Sequence, residues 1–151
     1  MAEFRPGLSP LFLRDEDLRQ GLDMLFFAWR DLAAEADATL EKEGLGRAHH
    51  RALYFIGRNP GLAVGELMAI LGITKQSLGR VLKDLAAKGL VTQSVGTEDR
   101  RERRLALTEA GQSLEQALSA PQRALMASAY RNAGAEAVAG FRTVLTGLRR
   151  R

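Results

Sequence analysis

The chain has 151 residues, of which 46% are hydrophobic and 26% charged, with a formal net charge of +4, a balance typical of one globular domain or two small subdomains sharing a core. It contains no cysteine, which excludes disulfide frameworks, thiolate metal sites and cysteine-based redox sensing. No apolar run approaches the roughly 20 residues of a membrane span, and the first residues lack a signal-peptide pattern, so we expect a cytoplasmic protein without membrane contact.

The chain begins with an apolar, proline-containing segment followed by a long helical pattern. Residues 1–14 include Pro6 and Pro10, which disfavour a helix, and predict an arm that either lies on a partner surface or is frayed. From Asp15 or Asp17 to Glu43, apolar residues recur at helical spacing and predict one long helix. A single domain of this size cannot bury such a stripe, so we expect it to meet a second subunit as well.

The middle of the chain is predicted to form short helices followed by two short strands. Turn residues after each element favour helices from about Arg47 to Gly57, from Val64 to Leu71, and from Thr74 to about Lys88. Gly72 supplies a tight turn between the last two helices, and Thr74 is a good N-cap for the last one. Two strand-forming runs follow, one within residues 89–96 and one that ends in Leu107 and Thr108.

The C-terminal third predicts two further helices. Thr108 caps the first, and Pro121 within it is expected to kink or break it. The second runs from about Gly134 to Arg150 and carries a coiled-coil-like seam. We therefore assign residues 15–45 and 108–151 to a helical dimerisation region and residues 46–107 to a compact middle domain. The fold class is mainly α with a small β-hairpin (α+β).

Charge is distributed unevenly along this order of elements. From Asp15 to Glu43, nine acidic residues stand against three basic ones, whereas from Arg47 to Arg104, eleven basic residues stand against five acidic ones. From Arg123 onward there are six basic residues and one acidic residue. The basic middle predicts a polyanionic partner for that segment. The simpler alternative is that the acidic stretch merely neutralises neighbouring basic helices.

The helix after Gly72 has the composition of a DNA-reading helix. Leu78, Val81, Leu82 and Leu85 form its inner face, and its outer face is polar and basic. Arginine can bridge guanine O6 and N7, and glutamine can pair with adenine, so these side chains suit base edges and phosphates. A solvated amphipathic helix has the same polarity and is the alternative. The predicted contact residues are Thr74, Lys75, Gln76, Ser77, Arg80 and Lys83.

The tip between the two strands is rich in arginine and predicts a second contact. A β-hairpin with such a tip, placed directly after a helix-turn-helix, is a wing that can grip the DNA backbone and minor groove, where a narrow groove attracts arginine. We expect Asp99 to orient Arg101 through a bidentate pair. The predicted wing residues are Asp99, Arg100, Arg101 and Arg103. Arg103 and Arg104 also suit the returning strand, and a solvated loop is the alternative for the whole tip.

Two stretches of the chain resemble the MarR family of bacterial transcriptional regulators. The run from Leu67 to Val91 resembles that family's helix-turn-helix. Asp99-Arg100-Arg101, followed by the run from Leu105 to Gly111, resembles its wing and the start of its fifth helix. The long flanking helices match its dimerisation region in position and length, so the resemblance covers about residues 15–150.

The resemblance implies a winged helix-turn-helix homodimer that binds a pseudopalindromic operator in double-stranded DNA. It implies that Asp99 and Arg101 act together in the wing and that residues 74–77 and Arg80 face the major groove. Many members bind small aromatic ligands between the dimer helices and the DNA-reading lobe. Here the candidate residues for such a crevice are Phe26, Trp29, Arg30, His50 and Tyr54, with ordinary core or surface roles as the alternative.

Other classes of function fit the sequence less well. A non-specific architectural DNA-binding protein would use the same surface, although Gln76 and Ser77 favour base reading. A winged-helix protein-interaction module would not need the arginine tip. The adjacent His49 and His50 point about 100° apart on a helix and make a poor metal pair. We find no nucleophile–histidine–acid order and no glycine-rich phosphate loop, so we expect neither an enzyme nor a cofactor or metal site.

Overall fold

The computed structural model describes residues 11–150, and of the arm predicted at residues 1–14 only the last four residues, which form turns and bends, fall within it. α1 lies in a compact unit of its own, and the chain from Glu35 onward forms a second unit. In chain order the elements are α1 (Asp15–Ala34), α2 (Asp37–Lys42), α3 (Arg47–Arg58), β1 (Leu62–Ala63), α4 (Val64–Leu71), α5 (Lys75–Ala87), β2 (Val91–Val95), β3 (Arg103–Leu107), α6 (Glu109–Ala133) and α7 (Ala135–Leu148).

α1 is amphipathic and leaves its apolar stripe exposed. Three acidic residues occupy its first turn, where the positive end of the helix dipole favours them. Leu22 is 68% exposed and Phe26 62% exposed, and the other large apolar residues of the helix are also exposed, except the half-buried Leu32. The helix was expected to carry more apolar surface than one chain can bury, and its side chains are exposed as that expectation requires.

The single helix predicted from Asp15 to Glu43 is wrong, because the chain forms two helices there. α1 ends at Ala34, and α2 begins at Asp37 after a two-residue turn. Leu40 of α2 and Ala36, which directly precedes this helix, are buried in the core of the second unit. The Asp37 carboxylate also accepts a hydrogen bond of 2.7 Å from Arg47, which holds the pKa of Asp37 below its usual value. The interruption between the two helices therefore depends on tertiary contacts. The sequence has no helix-breaking residue at this point from which it could be predicted.

The core of the second unit is built around α3. Leu53 and Ile56 on its inner face are completely buried, and they share one apolar cluster with α4, α5, α6 and the sheet. Burying a side chain of this size contributes about 1.5–3 kcal/mol. Because α3 touches each of these elements, it sets the positions of the helix-turn-helix and of the strands that follow it.

The sheet has three strands in the described part of the chain, in the order β1-β3-β2. β2 and β3 form the predicted hairpin, with Val91 opposite Leu107 and Val95 opposite Arg103. The sequence reading missed β1, which pairs Leu62 with Leu105. β1 is two residues long and too short to show an alternating pattern, so only the pairing with β3 reveals it.

Glycine and threonine residues end and cap the helices at the positions that the sequence predicts. Gly72 ends α4 in the left-handed conformation, at a φ of 63° that favours glycine. Gly89 follows α5 at a φ of 70°. Thr108 caps α6, since its hydroxyl accepts a hydrogen bond of 3.0 Å from the Gly111 N–H. The fold is therefore mainly helical with a small antiparallel sheet, as predicted.

α6 is one continuous helix through Pro121, so the predicted break does not occur. A proline inside a helix removes a backbone hydrogen bond and costs about 3 kcal/mol. Leu118 and Ser119, three and two residues before the proline, are buried against the rest of the unit. Packing of this segment holds the helix together across the proline. No helix among residues 11–150 has the length and apolar character needed to cross a membrane.

Gly111 marks the closest approach between α6 and the start of the hairpin. A Cβ at this position would overlap the carbonyl oxygen of Leu90, which is rigid backbone. We expect Gly111→Ala to lower the free energy of unfolding by about 1–3 kcal/mol, the usual cost of forcing extra volume into packed structure. Urea denaturation followed by circular dichroism measures this change.

The matched control is Gly140→Ala in α7. A Cβ there would meet nothing within 4 Å, and alanine is about 1 kcal/mol better than glycine inside a helix. We expect the control to leave stability unchanged or to raise it. Equal effects of the two substitutions would contradict the close contact between α6 and Leu90.

Candidate nucleic-acid interface

α5 presents one apolar and one polar face. Leu78, Val81, Leu82 and Leu85 are buried in the core, as predicted. The exposed face carries the predicted contact residues Lys75, Gln76, Ser77, Arg80 and Lys83, and it also carries Gly79 and Asp84. The fold therefore brings three cations and two uncharged hydrogen-bonding side chains onto one open surface.

Thr74 caps the N-terminus of α5. Its Oγ1 accepts a hydrogen bond of 3.1 Å from the Ser77 N–H, and its hydroxyl donates to the Ser77 Oγ at 3.0 Å. Ser77 can still donate its own hydroxyl proton outward. Thr74 is therefore first a structural residue, and its position at the helix N-terminus places it at the edge of the exposed polar face.

The acidic residue on this face, Asp84, is held by His49 of α3. The His49 Nδ1 accepts a hydrogen bond of 2.9 Å from the Gly46 N–H, so the proton of a neutral ring lies on Nε2. Nε2 lies 2.9 Å from the Asp84 carboxylate and donates to it. Sequence reasoning considered His49 only as a metal ligand and missed this contact, because the two residues are 35 positions apart.

The wing closes through backbone hydrogen bonds at its tip. The Gly96 N–H donates to the Glu102 carbonyl at 3.0 Å, and the Glu102 N–H donates to the Asp99 carbonyl at 3.1 Å. A Cβ on Gly96 would lie 2.6 Å from the Asp99 carbonyl oxygen, so glycine is required for this tight tip. The tip carries Arg100 and Arg101 into solvent.

Asp99 orients Arg101 differently from the prediction. The expected bidentate pair is absent between these two described residues. The Asp99 Oδ1 instead accepts a hydrogen bond of 2.9 Å from the Arg101 backbone N–H. The guanidinium makes one longer contact, 3.5 Å from Nε to the same oxygen, and the side chain is 94% exposed. A short acceptor two residues earlier forms an Asx turn more easily than it reaches the end of an extended arginine, so Asp99 shapes the backbone and leaves the guanidinium open.

Arg103 and Arg104 lie in β3, as the alternative assignment had it. Arg103 is exposed, and its guanidinium donates to the Arg100 carbonyl at 3.3 Å. Arg104 turns toward the protein and contacts Gly61, Glu66 and Glu102. The four arginines of the tip therefore differ in their surroundings, with Arg100 and Arg101 the most open.

The residues predicted to line a ligand crevice fall in both compact units. In the second unit, His50 is buried, with its Nε2 3.3 Å from the Ser119 Oγ, and burial lowers its pKa. Tyr54 is half-buried, and its ring packs edge-on against Phe55. These contacts give both residues a role in packing the second unit, and a crevice stays a prediction.

The other three crevice residues lie on α1. Phe26 packs edge-on against Phe27, and the Arg30 guanidinium lies 4.8 Å from the Phe27 ring centroid while its Nε contacts Asp31. Trp29 is 58% exposed. Among the described residues, no group of three or more histidines and acidic side chains is placed to hold a metal ion.

This arrangement defines a class of protein. Two helices, α4 and α5, meet at a tight glycine turn, the second helix exposes a polar and basic face, and an antiparallel sheet with a projecting arginine tip follows. That combination is a winged helix-turn-helix.

Comparison with known proteins agrees with this class. A family model described as "MarR family" matches residues 43–102. The HTH-type transcriptional regulator PetP of Rhodobacter capsulatus is 55% identical over 139 residues, which cover 92% of this chain and 84% of that protein.

Solved structures share the fold at lower identity. A MarR-family transcriptional regulator from Silicibacter pomeroyi matches with a TM-score of 0.73 and 23% identity, over 95% of this chain and 98% of that one. Streptococcus pneumoniae FabT, in complex with DNA, matches with a TM-score of 0.74 and 18% identity, over 87% of this chain and 94% of that one.

The chain belongs to the MarR family and is a winged helix-turn-helix transcriptional regulator. The 55% identical relative shows this membership, because the match covers most of both chains. α5 and the wing are the elements that a winged helix-turn-helix presents to DNA.

The cap of α5 can be tested apart from any DNA contact. We expect Thr74→Ala to lower the free energy of unfolding by about 1 kcal/mol, because the Ser77 N–H loses its acceptor. Thr74→Ser keeps the oxygen and is expected to keep the stability. Thermal or urea unfolding of the two variants in the absence of DNA measures the difference, and equal stability of Thr74→Ala and wild type would refute the cap.

Proposed function

We propose that this regulator binds a pseudopalindromic DNA operator as a homodimer in the cytoplasm. α5 enters the major groove, and the wing reaches the adjacent minor groove. In this proposal Thr74, Lys75, Gln76, Ser77, Arg80 and Lys83 face bases and phosphates from α5, and Asp99, Arg100, Arg101 and Arg103 form the wing contact.

The polarity of α5 carries the proposal. Its exposed face combines Arg80 and Gln76, which can read base edges, with Lys75 and Lys83, which can neutralise phosphates. The one carboxylate on that face within the helix, Asp84, is engaged by His49. The complex of FabT with DNA supports the same use of a related fold.

Exposed apolar surface supports the homodimer. Leu22, Phe26 and Trp29 on α1 are 68%, 62% and 58% exposed, and Val144 and Leu148 on α7 are 63% and 60% exposed. Exposed apolar residues that recur along one helix, as they do on α1 and separately on α7, mark an interaction site. A two-fold dimer also suits a two-fold operator, because each half-site meets one recognition helix.

Control by a small aromatic ligand is a further part of the proposal. The candidate residues are Phe26, Trp29, Arg30, His50 and Tyr54. Open aromatic rings on α1 support it, whereas His50 and Tyr54 already have partners in their own unit.

Selection of DNA from a random pool tests sequence-specific binding. We expect wild type to enrich an inverted repeat, and Arg80→Ala to relax the preference at one position per half-site, at a cost of about 1–3 kcal/mol for the preferred base. Lys88→Ala, which lies beyond the base-facing part of α5, is the matched control and is expected to keep the preference. Equal binding of all random duplexes by wild type would favour a non-specific architectural role.

Sedimentation equilibrium tests the homodimer. We expect a mass of twice the 16.5 kDa of one chain. Leu22→Asp should shift the equilibrium toward monomer, because it places a charge in an apolar contact. Gln20→Asp adds the same charge at an exposed polar position of α1 and is expected to keep the dimer. A wild-type mass of one chain would contradict this part of the proposal.

A further inference from the structure

Arg104 connects three separate segments of the winged helix. Its Nη1 donates to the Gly61 carbonyl at 3.1 Å and lies 3.6 Å from the Glu66 carboxylate of α4. Its Nη2 donates to the Glu102 carboxylate at 2.6 Å. One guanidinium thus joins the turn before β1, the first helix of the helix-turn-helix and the tip of the wing.

Each acidic partner of Arg104 has a structural task of its own. The Glu66 Oε1 accepts a hydrogen bond of 3.2 Å from the Ala63 N–H and so caps α4. The backbone of Glu102 closes the wing tip through its bonds to Gly96 and Asp99. Holding the side chain of Glu102 therefore restrains the residue on which the tip depends.

Arg104 is also the least available of the tip arginines for DNA. Its side chain is 38% exposed, compared with 94% for Arg101, and its donors face two carboxylates and a carbonyl. A guanidinium placed in this way presents a fixed fork of hydrogen bonds to the protein. Its charge is offset locally by Glu66 and Glu102.

We propose that Arg104, Glu102 and Glu66 form a wing anchor that sets the position of the wing relative to the helix-turn-helix, so that two carboxylates beside the DNA-facing surface strengthen DNA binding. Arg104 is a positioning residue in this assignment, and Arg101 is the contact that it positions. The inference rests on the proposed DNA binding and assigns specific residues to it.

The direction in which removal of the Glu102 carboxylate changes DNA affinity distinguishes a positioning role from a purely electrostatic one. Removing a carboxylate near DNA strengthens binding when only long-range charge matters, because repulsion of the phosphates falls. If Glu102 holds the wing through Arg104, its removal weakens binding instead. The two accounts therefore predict opposite changes in affinity.

The test measures affinity for the selected operator by fluorescence anisotropy at several salt concentrations. We expect Glu102→Ala to weaken binding about three- to tenfold, which lies in the lower part of the range of couplings between contacting residues. Glu98→Ala, which removes an exposed carboxylate from the same tip, is the matched control and is expected to leave affinity unchanged or slightly increased. Unfolding midpoints without DNA show whether each variant is folded.

A double-mutant cycle with Arg101 gives a readout that a general loss of folding would not produce. We expect Arg104→Ala to weaken the wild type about three- to tenfold but to have little further effect in the Arg101→Ala background, because the positioned contact is already gone. Additive losses, with a salt slope reduced by about 0.9 for Arg104→Ala in both backgrounds, would make Arg104 a direct phosphate contact and overturn the anchor.

The remaining outcomes are also decisive. Tighter binding by Glu102→Ala overturns the wing anchor and leaves the proposed DNA binding intact. An equal loss of affinity from Arg104→Ala in the wild-type and Arg101→Ala backgrounds has the same consequence. Failure of the folded wild type to bind any duplex at low salt overturns the proposed function and the anchor together.

Discussion

Burial of the inner face of α3 is the contact on which the proposed DNA-facing surface depends. Leu53 and Ile56 are completely buried where α3 meets α5, α6 and the sheet. Each of these elements gives its own apolar face to the same cluster. The orientation of α5 and of the hairpin is therefore a consequence of packing. Because their apolar faces are buried in the core, their polar faces are exposed to solvent.

This constraint explains why the surface of α5 can be varied without loss of fold. The helix contributes Leu78, Leu82 and Leu85 to the core, and it is capped by Thr74 and ended near Gly89. Apart from Thr74 and its partner Ser77, the exposed positions carry no share of that stabilisation. A regulator of this family can thus keep one scaffold and change the side chains that face its target.

Polar contacts then refine what packing establishes. His49 fixes Asp84 on the face of α5, and Arg104 links the wing to α4 across positions distant in sequence. Near-surface hydrogen bonds and ion pairs of this kind add little to overall stability. Each joins α5 or the wing to a neighbouring element that packing already holds, so we infer that its effect is on local geometry.

The order of helices around the glycine turn, the hairpin and the polar face of α5 could all be predicted from the sequence. These follow from local rules, since periodicity, caps and turn residues act over a few positions. The bond from the Arg101 N–H to Asp99 is also local, although spacing alone does not distinguish it from a side-chain pair. The tertiary structure was needed for the break between Ala34 and Asp37, for the continuation of α6 through Pro121 and for the joining of β1 to the sheet. It also decided which arginine of the tip faces solvent and which one turns inward to Glu66 and Glu102. Those outcomes depend on contacts between segments far apart in the chain. The spacing of neighbouring residues does not predict the energy of such contacts.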